Sequence, residues 1–176
     1  MPWLRIGFFM AASLFLAVPA RAEAGVEAAF TAAIAAFEQA RPALGSEFAG
    51  VDIAAYRDAL TLRRFSSAHW GGSTRLEIIL AESDEGACAR YAAYVRIPPQ
   101  DGVVPLVFCP EFRRKGTAQL RALTILHEMV HVLAGPDECR AMAFAARVEH
   151  IANGRHTDVS RYWQANGCAM SGFRLP

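Results

Sequence analysis

The chain has no apolar run long enough to form a membrane-spanning helix: the stretch from Ile6 to Val18 covers about 13 residues where roughly 20 are needed. Arg5 precedes that stretch, and Pro19 with Ala20-Arg21-Ala22 follows it, the pattern of an export signal with a small-residue cleavage site. Residues 1–22 are therefore expected to be a signal peptide and residues 23–176 a single exported domain, periplasmic or extracellular, without stable membrane insertion. No cysteine sits at the cleavage point, which argues against a lipid anchor, and no Cys-x-x-Cys pair exists, which argues against a cysteine metal site. A charge excess is also missing. The chain has 18 basic and 17 acidic residues, and loss of Arg5 and Arg21 leaves 16 against 17. Such balance predicts neither nucleic acid nor an anionic membrane as partner. No internal repeat is present.

What is there begins with four cysteines, Cys88, Cys109, Cys139 and Cys168, all in the expected mature part. An even number in an exported chain points to disulfides. Three pairings are possible; Cys88 with Cys109 and Cys139 with Cys168 fit best, because each closes a neighbouring pair of elements. The mature length of 154 residues suits one domain with a real core, and a monomer is expected.

Hydrophobic spacing predicts an α+β domain, mainly helical, with a short mixed sheet. Val26, Phe30, Ile34 and Phe37 recur at spacings of three and four, predicting a scaffold helix from Glu23 to about Ala40, ended by Arg41-Pro42. A second helix is predicted over Ile53 to Phe65, with Gly71-Gly72 breaking the chain after it. Strands are predicted at Arg75–Leu80, Tyr91–Ile97 and Val103–Phe108, the last two forming a hairpin around Pro98–Gly102. Pro105, which lacks a ladder donor, predicts that the final strand lies at an edge. Helices are predicted from Thr117 to Leu133, from Asp137 to Ala152 and from Val159 to Asn166.

The chemistry lies in the first of these three. His127-Glu128-Met129-Val130-His131 is a His-Glu-x-x-His motif inside an apolar helical pattern. Residues four apart share a helix face, with Cβ atoms about 6 Å apart, so two imidazoles can grip one zinc ion. Glu128 then flanks the position of the attacking water and is expected to act as general base, with zinc lowering the pKa of that water from about 15.7 to about 7. One zinc per chain is expected, with a third protein ligand and an open fourth position.

Gly135-Pro136 turns the chain just past His131, so the first turn of the following helix, Asp137 and Glu138, returns near the metal. Glu138 leads the face continued by Ala141, Ala145 and Val148 and is the favoured third ligand over Asp137. Both acids also suit the positive end of a helix dipole. Glu149 lies eleven residues further on, about 16 Å along a helix, and is out of reach. His150 and His156 lack partner spacing and read as surface or loop residues.

At these residues the chain resembles the zincin metallopeptidases, and more narrowly the aspzincin group of deuterolysin and peptidyl-lysine metalloendopeptidases. The likeness runs from Cys88 to Cys168 and includes Ala93-Tyr94-Val95, Val107-Phe108-Cys109-Pro110-Glu111-Phe112 and Tyr162-Trp163-Gln164-Ala165-Asn166. The third-ligand segment of that group falls on Gly135 to Met142, with Glu138 where the group has aspartate, Ala141 where it has a tyrosine and Met142 where it has a glycine. A glutamate ligand makes the chain similar to the gluzincins as well. The resemblance implies a zincin-like fold, a peptide or protein substrate, and docking of an extended peptide on the Val103–Phe108 strand. With Ala141 in the tyrosine position, Tyr162 and His156 are the candidates to hold the oxyanion. The expected activity is zinc-dependent peptide hydrolysis; the alternatives are a non-catalytic module that binds a peptide or partner, and hydrolysis of another amide bond.

Overall fold

The structure, a computed structural model, describes residues 20–176; residues 1–19, most of the expected signal segment, lie outside the described part. Its helices are α1 (Ala20–Leu44), α2 (Ile53–Leu60), α3 (Pro110–Arg114), α4 (Ala118–Ala134), α5 (Glu138–Asn153) and α6 (Ser160–Ala165). Its strands are β1 (Glu47–Phe48), β2 (Val51–Asp52), β3 (Phe65–Ser66), β4 (Ser73–Leu80), β5 (Ala93–Val95) and β6 (Val103–Phe108). This is an α+β domain. None of the described helices is long and apolar enough to cross a membrane.

The three long helices form the body. α4 and α5 pack side by side as a hairpin turned at Gly135-Pro136, and α1 lies across both. Phe37, Tyr56 and Phe144 meet between α1, α2 and α5, with Tyr56 4.9 Å from Phe37 and 4.5 Å from Phe144 between ring centroids. All three are fully buried, each removing from water a side chain that contributes roughly 1.5–3 kcal/mol or more. Tyr56 brings a hydroxyl into this core, and it donates to the Leu126 carbonyl at 2.7 Å, tying α2 to the middle of α4.

β1 and β2 form a small antiparallel pair, and the main sheet has the order β3-β4-β6-β5. β4 and β6 run parallel while the outer pairings are antiparallel, so the sheet is mixed, as the sequence predicts. Alternation along β6 sends Val104, Leu106 and Phe108 into the helical core, and sends Val107 to a smaller cluster with Cys88 and Cys109 on the other face. Both predicted disulfides are present, Cys88–Cys109 and Cys139–Cys168, each with 5.3 Å between Cα atoms.

Three expectations are corrected. Pro105 does not mark an edge: β6 lies between β4 and β5. The backbone of Pro105 faces β5, where its carbonyl accepts from Arg96 at 2.9 Å, just beyond the end of that three-residue strand. Its missing N–H therefore interrupts no bond to β4 and only the fraying end of the β5 ladder. The exposed edge on this side is β5, not the Val103–Phe108 strand. The second helix stops at Leu60, where the Thr61 hydroxyl bonds back to the Arg57 carbonyl and Leu62 takes a positive φ, so Phe65 enters β3 instead. α1 runs through Pro42 to Leu44: the proline lies two residues from the helix end, where it removes the bond to the Glu38 carbonyl and little helix follows it.

Candidate metal centre

Thr117 starts α4 by accepting the Leu120 N–H at 3.1 Å, and from Ala122 onward nearly the whole helix is buried. Its far end is held by groups from outside. The Trp70 indole donates to the Val132 carbonyl at 2.9 Å, the Ser67 hydroxyl to Leu133 at 2.6 Å, and the Arg140 guanidinium to Ala134 at 2.9 Å. These carbonyls have no partner within a helix that ends here. Gly135 then takes φ +83°, and a Cβ there would lie 2.4 Å from His69 Nε2, so only glycine fits. Its carbonyl turns back to accept the His131 Nδ1–H at 2.8 Å.

That bond orients the His131 ring and leaves its Nε2 facing His127 Nε2, 3.0 Å away. Glu138 Oε2 completes a triangle, 3.0 Å from His127 Nε2 and 3.3 Å from His131 Nε2. Zinc ligands at about 2.0–2.1 Å in a tetrahedron stand about 3.3 Å apart, so these separations are those of three corners around one ion. Two buried imidazole nitrogens and a carboxylate oxygen converging this way are a donor set that a cation could satisfy. Among the described residues these three are the group able to hold a metal.

The sequence left Asp137 and Glu138 as rivals, and the structure separates them. Asp137 caps α5, its carboxylate accepting the Arg140 N–H at 3.0 Å, while Glu138 turns into the triangle. Glu149 is elsewhere, buried, bonded to Gln119 at 2.8 Å and to the Thr157 N–H at 2.6 Å. His150 and His156 face each other at 6.1 Å and are not in the metal group. Tyr162, arriving on α6, donates its hydroxyl to Glu138 Oε2 and sets its ring perpendicular to His127 at 5.7 Å.

Electrostatics differ sharply within this group in the metal-free protein. Burial pushes Glu128 up to about 8, opposed by His131. Burial also lowers His127, so that imidazole is neutral. For His131 burial is outweighed by the Glu138 hydrogen bond and the nearby Glu128 charge, and its pKa is raised. For Glu138 burial is outweighed by hydrogen bonds from His127, His131 and Tyr162, which hold it well below the usual carboxylate range. Tyr162 is raised by burial and by Glu138, and stays protonated. His127 Nδ1 is buried without a hydrogen-bond partner, so the support usual behind a metal-binding histidine falls on His131 alone.

His127 and Glu128 open onto a cleft of about 410 Å³ between α4, β5 and α6. The sequence carries no signal for Ser67, Trp70 and Arg140, which hold the end of α4, whereas Gly135 is legible as the helix stop. No protein-family model, curated protein or solved structure matches this chain, so its site stands on its own geometry.

Proposed function

We propose that the chain is an exported zinc-dependent peptidase of zincin type, hydrolysing peptide bonds with Glu128 as general base. The observation that carries the reading is the triangle of His127 Nε2, His131 Nε2 and Glu138 Oε2, with sides of 3.0, 3.3 and 3.0 Å, one corner of which, His127, lines a cleft together with Glu128. Two disulfides support an oxidising compartment.

Zinc bound there supplies a Lewis acid that polarises the substrate carbonyl and acidifies water. The chain's own residues do the rest. Glu128 takes the proton from the attacking water at its carboxylate and hands it to the leaving amine. Tyr162, kept protonated and reaching the centre from α6, becomes the donor for the oxyanion when its single O–H turns from Glu138 to the substrate, in the part that Ala141 cannot play. β5 offers a short docking edge: Ala92 and Arg96 bond to β6, so the backbone groups of Ala93, which lines the cleft, point away from the sheet towards an added peptide strand, while the next outward N–H, that of Val95, is bonded to Glu128.

Purified mature protein should hold about one equivalent of zinc. Glu128→Gln should keep the metal and lose hydrolysis of a peptide library; full activity in that variant would refute the mechanism.

A further inference from the structure

Among the described residues, exposed apolar side chains cluster at one place. Of the six large hydrophobic side chains that are well exposed among the described residues, three, Tyr91, Leu120 and Tyr162, line the cleft at the metal centre. Leu123, Met142 and Val159 continue the same lining inward. Apolar side chains gathered in a concave surface mark a binding site rather than incidental exposure.

The charges in the same cleft are not balanced. Arg90 and Arg161 both line it, and neither has an ion-pair partner among the described residues. Arg90 lies over the Tyr91 ring, 5.6 Å from its centroid, a contact that steadies the guanidinium without using its hydrogen-bond donors. Apart from Glu128, the acid in the lining is Asp158. Its carboxylate accepts the N–H of Ser160 at 2.9 Å, a bond within its own turn rather than to either arginine. Arg90 and Arg161 thus line the cleft without a salt bridge to Asp158 or any other described carboxylate, and carboxylates are the groups that guanidinium forks recognise.

Building on the reading of the cleft as a peptide site, we propose that it selects segments combining an apolar side chain with a carboxylate. The apolar group packs on Leu120, Leu123, Met142 and Val159, and the carboxylate meets Arg90 and Arg161. An aspartate or glutamate side chain and a free C-terminus share this chemistry.

The test measures binding of fluorescent peptides to two non-hydrolysing forms, zinc-loaded Glu128→Gln and metal-free wild type. Four peptides share one apolar residue and differ in having glutamate or glutamine beside it, and a C-terminal acid or amide. At least one carboxylate should tighten binding by about fivefold or more, with the advantage falling at high salt and vanishing in Arg90→Glu/Arg161→Glu. The member of the set that shows the gain identifies the source of the carboxylate. Equal binding of all four, or a carboxylate preference that survives the double charge reversal, would overturn the proposal. Because binding is read without turnover, selective binding by a protein that cleaves nothing removes the peptidase reading alone, and unselective cleavage removes this one alone.

Discussion

The Tyr162 hydroxyl donates to Glu138 Oε2, the same oxygen that faces both imidazoles of the His-Glu-x-x-His helix. The two residues are 24 positions apart and come from different helices. A phenol thus orients the carboxylate that would be the third ligand, and reaches the reacting centre itself. Tyr162→Phe should weaken zinc binding by about tenfold, the lower end of what loss of a ligand's hydrogen-bonded support does, and should reduce kcat more than it changes KM. Competition with a chelator reads the first effect and steady-state kinetics the second; unchanged zinc affinity would mean that the hydroxyl releases Glu138 when metal binds.

Asp137 and Glu138 give a pair of substitutions with opposite signatures. Asp137→Ala removes a helix cap and should lower stability by about 1 kcal/mol while leaving zinc content unchanged. Glu138→Ala should lose stoichiometric zinc with a smaller effect on the fold of the metal-free protein. Denaturant melts and metal analysis of the two proteins check this, and zinc loss in Asp137→Ala would reverse the assignment.

Buried Glu128 makes the stability of the metal-free protein depend on pH. Its folded-state pKa, about 8, lies above the ordinary 4.5, so between these values the folded protein holds a proton that the unfolded chain releases. Its contribution to stability therefore falls as pH rises from about 4.5 to about 8. Glu128→Gln removes the titration, so in a chelator the variant should gain on wild type by about 2–4 kcal/mol between pH 4.5 and pH 8. A difference independent of pH would show that Glu128 is solvated in the folded state.

The Cys139–Cys168 disulfide joins the residue after Glu138 to the short turn that follows α6. It therefore holds the helix of Tyr162 against the helix of Glu138. Replacing both cysteines with serine should lower stability by about 3–4 kcal/mol through the freed unfolded chain. Zinc affinity should fall with it, to about the level of Tyr162→Phe, since α6 is then tethered only by its own contacts. The Cys88–Cys109 pair, which closes the far face of the sheet, should affect stability without touching metal affinity.

The long helices were legible because each carries a strong local pattern: the apolar spacing of Val26, Phe30 and Phe37, the Thr117 cap, and the Gly135-Pro136 stop. Strand order was not, because Pro105 is penalised only on the side where its N–H would have bonded, and sequence does not say which side has a partner. Phe65 was read onto a helix for a related reason. An apolar residue at helical spacing fits a strand equally well once the chain turns at Thr61 and Leu62.

By itself the sequence determined that two imidazoles would stand on one face of a buried helix with an acid between them, since a separation of four residues and the α-helical repeat leave no other outcome. It also narrowed the candidates for a third ligand to two adjacent acids. Only the tertiary structure set these apart, spending Asp137 on a backbone cap and turning Glu138 towards the two imidazoles, and only it brought Tyr162, Arg90 and Arg161 to the same cleft. Local spacing fixes which side chains share a face; which distant groups meet that face depends on how the helices and the sheet pack, and that is a property of the whole chain.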